Sequence, residues 1–465
     1  MNINNLIQKL ACKISGISSH SKHIKPGYAF ICLSEKSHMF IPEAIKLGAK
    51  FIVTKNYNTL NNNKIITCSD PYKLYHLLSS KLHNNKQPHF IAAVTGTNGK
   101  TSVVDFCRQI WYLLNYKSAS IGTLGTFINK QLLYKNSLTT PDPTNLHQIL
   151  SKLYNKQVQY LCLEASSHGI DQKRINNTII SAAAFTNLSH DHLDYHNDMK
   201  SYFSAKKKLF SHVVTREGYS ILNMDIAEYP QLKAIARSSK IITYGTNKGD
   251  IQILSSCSNK KGHYIKIKIY NSIYEKFFPV LGQFQIYNLM CAIGIIIASG
   301  VKYKDLPIEK LATPKGRMEK INDFIIIDYS HTPDALKSTL LSLQLHGYSK
   351  TILVFGCGGN RDIEKRKIMG KIAAQYTTKT IITDDNPRNE DPQKIRKEIL
   401  SHCHNSIEIP NREEAIKYAI EEAINNNYIV LIAGKGHENT QIIGNKILDF
   451  NDEIIAKNII NQYYK

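Results

Sequence analysis

The residues Thr95-Gly96-Thr97-Asn98-Gly99-Lys100-Thr101-Ser102 have the types and spacing to hold a phosphate chain. Their glycines let successive backbone N–H groups curl around phosphate oxygens, and a helix beginning behind them adds its dipole. In such a loop Lys100 reaches the β/γ-phosphates and the Thr101 hydroxyl ligates Mg²⁺. The strict pattern wants glycine at position 94, where this chain has Val94, so the loop is a variant that still predicts binding of a nucleoside triphosphate. Glu164 closes an apolar run, and a carboxylate facing a phosphate loop is well placed to hold Mg²⁺. His190, His192 and His196 are spaced as zinc ligands can be, or as polar scaffolding. The triplet Lys206-Lys207-Lys208 reads as a solvated helix face or as one lysine turned inward.

A second set lies further on. Gly356-Cys357-Gly358-Gly359-Asn360-Arg361-Asp362, Asp384-Asp385-Asn386-Pro387-Arg388 and Ala433-Gly434-Lys435-Gly436-His437-Glu438 each follow an apolar run. Arg forks bind carboxylates and acids bind ammonium groups, so a pocket holding both signs suits a zwitterionic amino acid.

The elements that must position these groups are short buried strands alternating with helices. Apolar runs at 90–94, 160–163, 182–185 and 241–244, then at 325–327, 352–355, 380–382 and 429–432, predict strands. The stretch 102–115 has helical period. Continuous apolar strands separated by helices predict mostly parallel sheets covered on both faces, with ligands beyond the strands' carboxyl ends. Polar or breaker-rich seams at His83-Asn84-Asn85-Lys86-Gln87-Pro88 and Ala312-Thr313-Pro314-Lys315-Gly316 divide the chain. The expected class is α/β in three domains: a small N-terminal α/β domain (1–88), a central P-loop-type, mostly parallel sheet (89–312) and a C-terminal Rossmann-like domain (313–465). Runs at Asn61-Asn62-Asn63 and Asn425-Asn426-Asn427 read as loops.

Composition excludes other classes. With 465 residues, 42% hydrophobic and 21% charged, the chain can bury several cores. Nine scattered cysteines without a CxxC pair indicate neither a disulfide framework nor a zinc finger, and reduced thiols suit a cytoplasmic location. Residues 1–10 lack the apolar core of a signal peptide, and the longest apolar run, 289–301, falls short of the ~20 residues needed to span a bilayer. Lys+Arg 59 against Asp+Glu 37 gives a net charge of +22, which invites a nucleic-acid reading. Dispersal of the lysines through all three segments argues against that reading.

The strings TGTNGKTS, LEASSHGI, TNLSHDHLDYH, AKKKLF, GQFQIYNLMCA, GRME, IIDYSHTPDAL, GCGGNRD, DDNPR and AGKGHE, in this order, resemble the signature series of the Mur ligases over about 27–449. The resemblance implies an ATP- and Mg²⁺-dependent amide ligase of peptidoglycan synthesis, hence of cell-wall biogenesis, cell shape and division. It implies that ATP phosphorylates the D-glutamyl γ-carboxylate of UDP-N-acetylmuramoyl-L-Ala-D-Glu and that the amine of meso-diaminopimelate displaces phosphate. By the same resemblance Gly96 to Ser102, Asn288, Arg317 and Asp328 contact ATP. Thr101, Glu164, His192 and Lys206 hold Mg²⁺, with Lys206 carbamylated to N6-carboxylysine, which replaces the zinc idea. Lys100, Glu164, His192 and Lys206 form the catalytic set. Ser21, Thr139, Thr140, Ser166, Gln172 and Arg174 match contacts to the UDP-muramoyl dipeptide. Arg361, Asp385, Asn386, Pro387, Arg388, Gly434 and Glu438 match the diaminopimelate pocket, where Arg388 clamps the distal carboxylate that lysine lacks. His20-Ser21-Lys22 departs from the family's Asp-Ser-Arg, and Asn360 stands where Asp is usual. A lysine-adding Mur ligase and a folylpolyglutamate synthetase are the enzymic alternatives. The expected chain is a monomer with no nucleic-acid partner and no membrane insertion.

Overall fold

The computed structural model describes residues 3–55 and 63–463, so Met1, Asn2, Asn61 and Asn62 of the segments discussed above lie outside the described residues. Three sheets organise the chain. The first contains Gly16–Ser18, Tyr28–Ile31, Phe51–Thr54 and Ile65–Thr67, parallel and in chain order. Ile3–Ala11 and Pro71–Lys81 close one core on it through Leu6, Leu10, Leu74 and Leu78.

The central sheet has eleven strands. Its middle runs Lys240–Gly245, Val214–Asn223, Ile180–Phe185, Phe90–Thr95, Tyr160–Glu164 and Ser118–Gly122, with every neighbouring pair parallel. Both faces are buried: Ala92 and Val94 enter one core, Ile91 and Ala93 the other. That two-sided burial is why these strands read as continuous apolar runs. The mostly parallel expectation holds for the middle and gives way at the margins. A meander of Ile251–Asn259, Gly262–Ile269 and Ser272–Phe278 extends one side, and Gly125–Ile128 with Gln131–Tyr134 extends the other, through antiparallel pairs. The alternation Tyr264-Ile265-Lys266-Ile267-Lys268-Ile269 is the period-2 trace of that meander, half-buried where the central strands are buried on both sides. The apolar run at 289–301 lies in the helix Gln283–Ala298 as far as residue 298, and this helix packs on Lys100–Leu113 and is buried around nearly its whole circumference. Among the described residues no helix is long and apolar enough to cross a membrane.

The third sheet has the order Arg317–Lys320, Ile325–Asp328, Ile429–Ala433, Thr351–Phe355, Lys379–Ile382 and Ser406–Glu408, parallel after its first antiparallel pair. Ile429–Ala433 inserts between two earlier strands, and this break in strand order opens a crevice at the carboxyl edge. All nine cysteines are free thiols.

Candidate active site

The phosphate loop leaves Phe90–Thr95 and enters the helix Lys100–Leu113. Two glycines are obligatory there. Gly96 has φ +141 and a Cβ would meet Thr186 Oγ1 at 1.9 Å; Gly99 has φ +87 and a Cβ would meet Asn288 Oδ1 at 2.2 Å. The next strand's end braces the loop. Thr186 Oγ1 donates to the Asn98 carbonyl at 2.6 Å, and the Asn98 N–H donates to Asn187 Oδ1 at 2.9 Å. Thr97 Oγ1 accepts the Ser189 N–H at 3.0 Å, and Ser102 is buried in the first helical turn. Lys100 Nζ folds over the loop, donating to the Gly96 and Thr97 carbonyls at 2.9 and 2.7 Å, and burial lowers its pKa.

Beyond the loop lies a set of buried charges. Glu164 accepts the Thr123 N–H at 2.8 Å and the Thr123 hydroxyl at 3.1 Å, so its carboxylate is oriented before any ligand arrives. Lys206, from Met199–Lys208, is 1% exposed, donates to the Gly96 carbonyl at 2.8 Å and lies 4.2 Å from the Tyr202 ring centre. Burial and the neighbouring Lys100 push its pKa well below that of an ordinary lysine. Of the triplet, this is the lysine turned inward. His192 sits in the left-handed region at φ +55, and burial pushes its pKa down to about 4 against the opposing pull of Asp191. His192 and His196 both pack against the His168 ring, at 5.1 and 5.5 Å between ring centres, while His190 points away from them. His190 faces Asp362 at 3.5 Å and His196 packs on Tyr202, and among the described residues no three His, Cys, Asp or Glu side chains converge as a metal site. The zinc spacing is thus a feature of the sequence without a counterpart in space.

Loop, acids and lysine line one cleft of about 710 Å³ that also takes in Thr139, Ser166, Arg174, Asn288, Arg317 and Asp328. Thr140 is buried behind it, donating to the Glu164 carbonyl at 2.8 Å and lying 3.1 Å from Ser166 Oγ. Gln172 is drawn back from the lining: its Oε1 accepts Arg174 Nε and Nη2 at 3.0 and 2.6 Å. The Gln172 carbonyl accepts the Tyr72 hydroxyl, tying the first sheet's helix to the central sheet. Ser21 is buried in the turn Ser21–His23 and does not line the cleft. Asn288 Nδ2 donates to Gln285 Oε1 at 2.8 Å. Arg317 reaches from the third sheet to donate to Thr101 Oγ1 at 3.0 Å, its guanidinium 4.4 Å from the Tyr329 ring centre. Asp328 fixes the strand that carries Arg317, accepting the Met318 N–H at 2.8 Å and the Thr339 hydroxyl at 3.1 Å.

A neighbouring cavity of about 150 Å³ gathers Arg361, Asp385, Asn386, Arg388, Gly434 and Glu438. Arg388, in the left-handed region at φ +54, donates from Nη1 to the Gly359 carbonyl at 2.8 Å. Pro387 does not line the cavity; its carbonyl presses on Gly359, where a Cβ would come within 1.9 Å. Arg361 pairs with Asp194 at 2.8 Å across the boundary between the sheets. Asp191, His192, Tyr329, His331 and Arg361 line both spaces, so the cavity adjoins the nucleotide cleft. Asp191, Tyr329 and His331 carry no role in the sequence reading. Their signal there is membership of the strings TNLSHDHLDYH and IIDYSHTPDAL, which lie at and beyond the strand ends at 185 and 328.

Residues 94–296 match the Mur ligase middle domain and 316–436 the Mur ligase glutamate ligase domain. A relative from Anaplasma marginale (strain St. Maries), named UDP-N-acetylmuramoyl-L-alanyl-D-glutamate--2,6-diaminopimelate ligase, is 52% identical over 99% of both chains. One of the same name from Rickettsia typhi (strain ATCC VR-144 / Wilmington) is 41% identical over 98% of this chain and 95% of its own. A solved structure bearing that name superposes with TM-score 0.68 at 31% identity, covering 97% of this chain and 96% of the other. Two further structures share the fold at lower identity. A MurF ligase from Thermotoga maritima in complex with ADP has TM-score 0.67 at 15%, over 97% and 98% of the chains. A folylpolyglutamate synthase from Mycobacterium tuberculosis has TM-score 0.64 at 14%, over 76% and 90%. With about half its residues identical to a relative over nearly the full length, and with both domain matches in place, this chain belongs to the Mur ligase family.

Proposed function

We propose that the chain is the ATP-dependent ligase that joins meso-diaminopimelate to the D-glutamyl γ-carboxylate of UDP-N-acetylmuramoyl-L-Ala-D-Glu. The observation that carries this reading is the placement of Arg388, Asn386, Arg361 and Glu438 in one cavity that adjoins the phosphate loop. Loop N–H groups and Lys100 hold the triphosphate, and Arg317 meets its charge from the opposite side. The γ-carboxylate oxygen forms a bond to the γ-phosphorus of ATP as the bond to the β–γ bridging oxygen breaks and ADP leaves, which turns a poor leaving oxygen into a good one. The amine then forms the C–N bond, the C–O bond to phosphate breaks, and the amine's proton is lost to solvent or a neighbouring base. Fixed donors around the cleft offset the charge that develops on the carbonyl oxygen.

The oxygen-rich donor set of Thr101, Glu164 and carboxylated Lys206, with neutral His192, fits Mg²⁺. These residues would hold it, and it would supply charge neutralisation at the phosphates. What supports N6-carboxylysine at Lys206 is an enclosed amine, 1% exposed, whose hydrogen bond goes to the Gly96 carbonyl rather than to a carboxylate. The first sheet (1–88) is assigned to the UDP substrate, with Ser21, the central one (89–312) to ATP, and the third (313–465) to the amino acid. A monomeric, cytoplasmic enzyme without a nucleic-acid partner belongs to the same reading.

The test is phosphate release with the UDP-muramoyl dipeptide, comparing meso-diaminopimelate with L-lysine. Turnover with the former alone is expected. Equal turnover with both refutes the selectivity, and turnover with neither refutes the activity.

A further inference from the structure

Lys435 belongs to the AGKGHE string but has no role in the reaction as described. Its side chain is 0% exposed, and its ammonium spends all three N–H donors inside the amino-acid cavity wall. They go to the Thr440 carbonyl at 2.7 Å, Glu438 Oε2 at 3.1 Å and Asn386 Oδ1 at 3.3 Å. Those acceptors come from three segments: the loop after the Ile429–Ala433 strand, the start of the hairpin strand Thr440–Ile443, and the Asp-Asn-Pro-Arg loop.

The consequence for Asn386 is directional. Its Oδ1 also accepts the Ile442 N–H at 2.9 Å, so both lone pairs are occupied and the amide has one orientation. Nδ2 must then face the cavity, where it donates to Glu438 Oε2 at 2.9 Å. Glu438 is held in turn by Lys435, Asn386 and, at Oε1, the Tyr329 hydroxyl at 3.4 Å. The hairpin strand fixes the same loop through its backbone: the Arg388 N–H donates to the Ile442 carbonyl at 3.0 Å, and Gln441 Nε2 donates to the Asp385 carbonyl at 2.9 Å.

We propose that Lys435 is the positioning residue of the amino-acid pocket, setting Asn386 as a donor and Glu438 as an acceptor so that the pocket presents a fixed polarity to a zwitterion. Lys435 itself is sealed behind those two side chains and acts through them. This inference rests on the proposed function, because Asn386 and Glu438 are taken there as substrate contacts.

The test uses the full chain and steady-state phosphate release, with meso-diaminopimelate, ATP and the UDP-muramoyl dipeptide varied in turn. Lys435→Met removes all three donors; Lys435→Gln keeps two in a similar volume and covers the case in which the Met variant does not fold. The diaminopimelate KM is expected to rise about 10- to 100-fold in Lys435→Met and less in Lys435→Gln. The other two KM values should stay within about twofold and kcat within about threefold, the split expected when substrate binding alone is lost. Combined with Asn386→Ala, Lys435→Met should add less than its full single-variant effect, since part of that effect runs through the amide. An unchanged diaminopimelate KM in both variants overturns the proposal, as does a joint rise of all three KM values or a fully additive double variant. If Asn386→Ala and Arg388→Ala also leave that KM unmoved, the pocket reading itself fails and takes this inference with it. If those two raise it and the Lys435 variants do not, only the inference about Lys435 falls.

Discussion

Replacing Arg388 separates recognition from stability, because the residue carries a backbone cost as well as a charge. Its φ of +54 lies in the left-handed region, which costs a non-glycine residue roughly 1–2 kcal/mol. The segment cannot relax out of it: the Arg388 N–H is held by the Ile442 carbonyl at 3.0 Å and the Arg388 carbonyl by the Gly444 N–H at 2.6 Å. Arg388→Gly removes that strain but adds unfolded-state entropy of about 0.5–1 kcal/mol, so net stability should change by no more than about 1 kcal/mol. Arg388→Ala keeps the strain and should be less stable than the Gly variant by a similar amount. Recognition behaves differently. Truncating one partner of a buried, charge-assisted pair costs about 2–5 kcal/mol, so kcat/KM for meso-diaminopimelate should fall roughly 30- to 5000-fold in both variants. The assays are urea denaturation and steady-state phosphate release. A Gly variant that is both less stable than Ala and fully active would refute the conformational and the chemical halves of the argument together.

Gly99→Ala should abolish ATP binding by calorimetry, a loss of at least about 100-fold, since a Cβ at φ +87 meets Asn288 Oδ1 at 2.2 Å; a wild-type Kd would show that the loop tolerates the side chain. Asp452→Asn should lower the unfolding free energy by about 3–5 kcal/mol, because Arg412 and Asp452 pair at 2.8 Å with both side chains 0% exposed; an unchanged denaturation midpoint contradicts this. His76 and His147 are buried at the contact between the helices Pro71–Lys81 and Pro143–Asn155, and burial pushes both pKa values down to about 4. The unfolded chain binds these protons from about pH 6.5 and the folded chain does not, so stability falls as pH drops from 6.5 towards 4, by on the order of 3 kcal/mol per ring. His76→Phe should flatten the acid limb of a Tm–pH curve, and parallel curves for variant and wild type would count against the burial argument.

The parallel core was legible because burial on two faces leaves an uninterrupted apolar trace, as at Phe90–Thr95 and Ile429–Ala433. The phosphate loop was legible because its chemistry is local: eight consecutive residues contain the turn, the cation and the hydroxyl. Arg317–Lys320 is a polar edge strand and leaves no hydrophobic signal. The Arg317–Thr101 bond spans 216 residues of sequence, and nothing in either segment's composition announces the other. Asp191 and His331 meet at the junction of two spaces for the same long-range reason. Spacing was misleading at His190, His192 and His196, where the last two pack on the His168 ring and the first turns to Asp362, so the three do not converge on one point. Gln172 shows the limit of residue type: an amide suited to a ligand is occupied by Arg174.

The junction imposes an order on the chemistry. Phosphate-loop groups come from the central sheet and the amino-acid groups from the third, yet Asp191, His192, Tyr329, His331 and Arg361 face both spaces. Under the proposed function, an acyl phosphate made beside Lys100 lies next to the cavity assigned to the amino acid, a short transfer between two adjoining spaces. Arg317 couples the two halves most directly. It joins the third sheet to Thr101 of the phosphate loop, and it lies over Tyr329 in the wall that the cavity shares. Part of the +22 charge is gathered at this junction, where Lys100 and Arg317 line the cleft, Arg388 lines the cavity and Arg361 lines both; under the proposed function they face three anionic substrates. The rest is lysine spread over the surface outside every motif. Under the proposed function, anionic substrates bound at the junction offset the mutual repulsion of its cations, and so favour the arrangement in which the two sheets meet.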